Sequence, residues 1–464
     1  MSAPPARARV ALLVPRFTLF DPHMREGFVE RMRGAAPRHA AVLRRWFDVL
    51  ETGVIENETE AAEVRELLTR ERVDAVVFAP AMAAPPSFGQ IALERCTAPV
   101  VLWNALPWRS IPVDVSQAEA TENSTTVGCT MFANTLLRLG RPAPTVTASL
   151  DDEPRLELLR RTVAGAAAAG SLRGASLLRI GAPVAGYRNI EASAEQLAEL
   201  GLREVDVSAD ELDDAFAAVD ASTASGVFDE LHGAGFVGDG GPEAARSARL
   251  AEAIRVLLDR HDAVLGTVNC HGPLLRFSDR VGITACLAVA REALGGRPLS
   301  CTGDGPAAIA LLLARRLAGA ALYNECYAAE PETGLLLVAA GGEGDPGWAD
   351  GPVQLEANDH YPGNNGQGSS VAFALRQGPA TLLSASPVDV GWRLAWATGD
   401  IVETRSTRMR GPNGMLRMDS GDATDVVSRW ISSGATHHNA LAPGRLDVEL
   451  TVLCDALGIR SVRV

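Results

Sequence analysis

The chain has 464 residues, 43 basic and 57 acidic side chains, and a formal charge of −14. At roughly 150 residues per domain, that length allows two or three domains and a sizeable core. The acidic balance excludes the basic footprint that nucleic acid or an anionic membrane surface requires. All 43 basic residues are arginine; without lysine, Schiff-base chemistry and a P-loop are excluded.

The N-terminal apolar run Val10–Val14 is broken by Pro15 and Arg16, too short for a signal peptide. No stretch reaches the roughly 18 apolar residues of a membrane span. The seven cysteines (Cys96, Cys129, Cys270, Cys286, Cys301, Cys326, Cys454) are scattered and form no C-x-x-C pair. They read as reduced thiols, and the expectation is a cytoplasmic protein with neither a nucleic-acid nor a membrane partner.

Arg9–Pro15, Val73–Pro80 and Pro99–Trp103 are apolar runs of strand length, and Glu60–Arg72 between the first two carries Val64, Leu67 and Leu68 at helical spacing. Buried strands alternating with helices predict a parallel sheet covered on both faces. No G-x-G-x-x-G follows the first strand, so a dinucleotide is not implied. A second set follows: strands at Ala175–Ile180 and Ala263–Thr267, a helix over Val281–Leu294 stopped by Gly295-Gly296, and a helix over Asp304–Leu317 with Pro306 in its first turn. After Gly334, the strand-like runs Leu335–Ala340, Val371–Leu375, Ala380–Ser384 and Trp392–Ala397 are divided by turn formers. The expected class is α/β: Rossmann-like parallel domains over 1–172 and 173–330, then a mostly antiparallel β-rich domain over 331–464.

Metal-type ligands concentrate in the second half. Glu325 follows the apolar run Ala320–Tyr323, Glu343 sits in GGEGDPG, His360 in NDHYPG, and His437-His438 in GATHHN. Two carboxylates with imidazoles suit a six-coordinate divalent cation, Mn²⁺ first, with Co²⁺, Fe²⁺ or Mg²⁺ as alternatives. Few thiols lie near them, which argues against structural zinc.

Longer stretches carry a resemblance. Trp430–Val464, with its tryptophan before a His-His block and a closing helix and strand, resembles the C-terminus of bacterial L-arabinose isomerases, of the L-arabinose and L-fucose isomerase superfamily. Gln377–Thr404 is similar to that family's Gly-Pro-Ala strand and the one after it, Ala105–Asp114 to its Ala-Leu-Pro-Trp loop, and Gly303-Asp304 to its Gly-Asp helix start. The likeness is collinear from about residue 70 onward. It implies a divalent metal, usually manganese, held by Glu325, Glu343, His360 and His438, and a homo-oligomer, trimer or hexamer.

Three departures accompany it. Thr302 replaces the family's glutamate, Cys326 replaces an acidic residue after the first ligand, and Pro15–Asp21 replaces the N-terminal substrate loop. The expectation is therefore a metal-dependent aldose–ketose isomerase working through an enediol, on a sugar other than L-arabinose. Glu325 and Glu343 are the expected acid/base pair, and His437 and Phe17 the expected substrate contacts. The alternatives are an epimerase or retro-aldol enzyme acting on a sugar or sugar acid, and a non-catalytic sugar-binding protein.

Overall fold

The computed structural model describes residues 7–359, 363, 366–403 and 408–464. The chain divides into two compact units: 6–171 with 448–458, and 172–447 with 459–464.

The first unit is built on five parallel strands, β1 (Arg9–Pro15), β2 (Asp48–Ile55), β3 (Ala75–Phe78), β4 (Val100–Leu106) and β5 (Thr145–Ser149), in the order β2-β1-β3-β4-β5. The central strands are apolar and buried throughout, so both faces need cover. Helices supply it, with Ala40, Leu43, Leu156 and Val163 in one layer and Val64, Leu68, Phe88 and Phe132 in the other. The late helix Asp447–Leu457 contributes its body to this unit. Glu449 there is ion-paired to Arg161 at 2.7 Å, and Gly165 has no room for a Cβ because the Glu449 carbonyl oxygen would stand 2.4 Å from it.

The second unit begins with a parallel sheet of β6 (Ser176–Ile180), β7 (Arg203–Asp206), β9 (Ala263–Val268) and β10 (Leu299–Ser300), ordered β10-β9-β6-β7; β8 (Phe236–Val237) joins another sheet. That other sheet contains β11 (Leu322–Glu330), β12 (Leu335–Ala339), β13 (Ala349–Ala357), β14 (Ser369–Leu375), β15 (Gly378–Pro387), β16 (Trp392–Glu403), β17 (Asn413–Met418), β18 (His438–Pro443) and β19 (Arg460–Arg463). Antiparallel pairing runs β16-β15-β18-β11-β12-β17 and back to β16, closing a six-stranded barrel. Closure leaves those six strands no open edge among themselves. The fold is thus mixed α/β, with two parallel sheets and a mainly antiparallel C-terminal sheet. One apolar core spans both sheets of this unit, from Leu178 and Ile254 to Leu382 and Leu416.

Two local readings change. The helix expected over Val281–Leu294 begins only at Cys286, because donors just before it are engaged elsewhere. Thr284 N–H bonds the Gln367 carbonyl at 3.1 Å and Ala285 N–H the Cys270 sulfur at 3.2 Å, while Gly282 is left-handed at φ +64°. Glu325, expected after a strand, lies inside β11, which runs on to Glu330.

Candidate functional site

Antiparallel register decides the first contact. Glu325 on β11 stands opposite His438, the first residue of β18. Directly opposed residues hold their side chains on one face, with Cβ atoms roughly 4.5–5.5 Å apart. Here His438 Nε2 lies 3.6 Å from Glu325 Oε1. The His437 ring sits 3.7 Å from that of His438, centre to centre, and its Nδ1 is 2.9 Å from Asn189 Nδ2. Ligand atoms of Glu325, His437 and His438 all lie within 4.8 Å of one another.

His438 is oriented from behind. The helix Gly305–Ala318 is capped by Asp304, whose Oδ1 accepts the Ala307 N–H at 2.7 Å, as an N-cap carboxylate should. The other oxygen, Oδ2, is 2.8 Å from His438 Nδ1. An ionised carboxylate takes the Nδ1–H and leaves Nε2 as a lone-pair donor facing Glu325, the carboxylate–histidine arrangement found behind metal-bound imidazoles. Burial pushes the Asp304 carboxyl above its ordinary value, and the hydrogen bond to His438 opposes that rise. The His437 imidazole is pushed down, by burial first and by its neighbour His438 second.

Glu343 reaches the same cavity from the turn after β12. It is buried at 4% exposure and forms no ion pair among the described residues, so desolvation raises its carboxyl pKa, with backbone hydrogen bonds at Gly341 and Glu343 opposing. The Cys286 thiol, 3.9 Å away, donates to its Oε2. The cavity has a volume of about 60 Å³. At about 10–15 Å³ per ordered water, that is room for roughly four to six waters.

The lining also holds small and soft groups, with Cys270, Cys286 and Cys301 among them. Burial and the Glu343 carboxylate together push the Cys286 thiol well up. Thr302 also lines the cavity, in a left-handed conformation at φ +59°, and its Oγ1 is 3.5 Å from His438 Nδ1. A β-branched residue held there stores on the order of 1–3 kcal/mol of strain, a feature that clusters at ligand sites.

The structure therefore brings Glu325, Glu343, His437 and His438 to one region, with Glu343 outside the tight 4.8 Å group. His360 lies outside the described residues. Asp359, the residue before it, is paired with Arg410, which also reaches Glu356 at 3.2 Å. Phe17 belongs to the other unit, edge-on to Phe20 with ring centres 5.7 Å apart. Sequence reasoning missed Asp304 as the partner of His438. The helix-start signal was visible at that position, but nothing in the order of residues linked it to a histidine 134 positions later. The three thiols were equally unmarked, each being an isolated cysteine. No family model matches this chain, and no curated protein matches it.

Proposed function

We propose that the chain is a metal-dependent aldose–ketose isomerase acting on a small sugar other than L-arabinose. The observation that carries this reading is the pair Glu325–His438, fixed across two barrel strands, with a second, buried carboxylate from Glu343 in the same cavity. The donor set fits a divalent cation. His438 has its Nδ1 committed to Asp304, and Glu343 is a buried carboxylate with no cationic side chain paired to it among the described residues. Glu325, Glu343 and His438, with His360, would hold Mn²⁺, or Mg²⁺, Co²⁺ or Fe²⁺. When bound, the ion supplies Lewis-acid polarisation of the substrate's carbonyl and hydroxyl oxygens.

The chain's own groups do the rest. Isomerisation moves a proton between C1 and C2 of an open-chain sugar through a cis-enediol. One carboxylate accepts the proton from one carbon and the second serves as its acid/base counterpart, each role contributing on the order of 10²–10⁴-fold in rate. Strand pairing on both sides fixes the Glu325 backbone, which limits where its carboxylate can reach before substrate arrives. His437, braced by Asn189, is the proposed contact for a substrate hydroxyl. The parallel sheets are proposed to be Rossmann-like layers, the trimer or hexamer rests on the resemblance alone, and a cytoplasmic location rests on the scattered thiols and the short N-terminal apolar run.

C2 epimerisation or retro-aldol cleavage is the second reading, favoured by Thr302 where the resembled family has a glutamate. The test is to strip the protein with chelator, titrate Mn²⁺, and assay pentoses, hexoses and deoxysugars for interconversion and for C2 proton exchange. Absence of binding at micromolar Mn²⁺ overturns the centre. Exchange without an aldose–ketose product selects the second reading.

A further inference from the structure

Three of the seven cysteines line the cavity described above, and two of them, Cys270 and Cys301, are in side-chain contact with each other. The sheet brings them together. β9 and β10 are parallel neighbours, with Gly266 opposite Leu299 and Thr267 opposite Ser300, and just beyond them the Gly303 N–H reaches the Val268 carbonyl at 3.0 Å. Cys301 follows β10 directly and Cys270 follows β9 by two residues, so both leave the sheet side by side. The turn carrying Cys270 is pinned by Asn269. Its N–H bonds the Ile180 carbonyl at 2.9 Å, its Nδ2 donates to the Ala182 carbonyl at 2.6 Å, and its Oδ1 accepts the His271 N–H at 2.9 Å.

The two sulfurs play unequal parts. Cys270 Sγ accepts the Ala285 N–H at 3.2 Å, at the start of the helix Cys286–Leu294, where backbone donors and the helix dipole favour a thiolate. The hydrogen bond from Cys301, and then that from Ala285, hold the Cys270 thiol below its ordinary value against its burial. Cys301 is pushed up, chiefly because it gives that hydrogen bond, and it is partly exposed. Cys286, the third thiol of the cavity, is engaged elsewhere: it donates to Glu343 at 3.9 Å and accepts from Asn358 Nδ2 at 3.3 Å. Burial pushes Cys129, Cys326 and Cys454, outside the cavity, up to about 12. A thiolate-favoured sulfur beside a second thiol is the arrangement of a reversible oxidation site.

We propose that Cys270 and Cys301 are such a site, closing to a disulfide when a hydroperoxide enters the cavity. Hydrogen peroxide is small enough to stand where a few waters fit. The Cys270 thiolate attacks one peroxide oxygen; an S–O bond forms as the O–O bond breaks, and the departing hydroxide takes the proton that Cys270 gave up, leaving as water. Cys301 sulfur then attacks the sulfenic acid at Cys270; the S–S bond forms as the S–O bond breaks, and the second hydroxide leaves with the Cys301 proton. Two thiols and one peroxide give one disulfide and two waters. The pair is separate from Glu325, Glu343, His360 and His438, and its oxidation needs neither metal nor sugar.

The test treats the full chain, with chelator present, with hydrogen peroxide up to millimolar concentration, then alkylates the remaining thiols under denaturing conditions and cleaves after arginine. Arg276, Arg280 and Arg291 place the three cavity cysteines in different peptides. Free thiols should fall from seven to five per chain and return to seven with dithiothreitol, with the Cys270 and Cys301 peptides joined within one chain. Cys286→Ser should form the same bridge, while Cys301→Ser should form none and carry a dimedone-reactive sulfenic acid at Cys270. Should either variant fail to fold by circular dichroism, the peptide map of the native chain decides. Seven thiols remaining after millimolar peroxide, a bridge to Cys286, irreversible oxidation of Cys270 in place of a bridge, or a bridge only between chains each overturns the proposal.

Discussion

Asp304 does two jobs with two oxygens, capping a helix with one and holding His438 Nδ1 with the other. Asn at that position has one acceptor. If its oxygen keeps the cap, its amide N–H₂ faces Nδ1, forcing the Nε2–H tautomer and removing the lone pair that faces Glu325. Asp304→Asn should therefore retain thermal stability, since Asn caps as well as Asp, while Mn²⁺ affinity measured by titration falls about 10–100-fold. His39 gives a pH dependence of definite sign. Burial, with Arg38 beside it, holds its folded pKa at about 4, below the ordinary 6.5. From pH 6.5 downward the unfolded chain takes a proton that the folded chain refuses, so stability present above pH 6.5 is lost as pH falls towards 4. The loss reaches up to about 3 kcal/mol at 1.36 kcal/mol per unit. Urea unfolding at pH 7 and pH 4.5 should show that loss in the native chain and its absence in His39→Phe. At this scale the sequence was legible where chemistry alone marks a residue, as for Glu325, Glu343 and the His-His pair. Asp304, Thr302 and the thiols become part of a site only through three-dimensional proximity and a left-handed φ, neither of which residue type encodes.

Strands that are buried on both faces announce themselves, and β1, β3, β4, β6 and β9 were all readable as apolar runs. The edge strands β2 and β5 were not, because each leaves much of its length exposed and carries polar residues there. The end-to-end closure of the barrel was also hidden, since it depends on β16 running to Glu403 to reach β17. That closure is tightest at Gly399, where a Cβ would stand 2.2 Å from the Arg417 carbonyl oxygen. Gly399→Ala should cost about 1–3 kcal/mol by overpacking a strand pair that cannot separate. Gly226, within the helix Ala221–Gly233, has nothing within 4 Å of such a Cβ. Gly226→Ala should instead stabilise by roughly 0.5–1 kcal/mol through backbone entropy. Thermal unfolding of the two variants side by side checks both signs.

Across the whole chain, the last 18 residues serve both compact units. The helix Asp447–Leu457 carries Glu449 to Arg161 and packs Val452 on the N-terminal core, and β19 then pairs in parallel with β16 in the other unit. A chain ending at residue 446 should lose hydrogen-exchange protection in two separate places, the helix Glu153–Ser171 and the strand β16, with everything between less affected. The same layout bears on biogenesis. A ribosome delivers about 5–20 residues per second, so the first unit, whose early portion ends at residue 171 and whose late portion at 458, waits about 15–60 s for its missing helix. During that interval the apolar surface that Val452 covers in the folded unit stands open beside Gly165, and a cell making this protein has reason to shield it until that helix has been made.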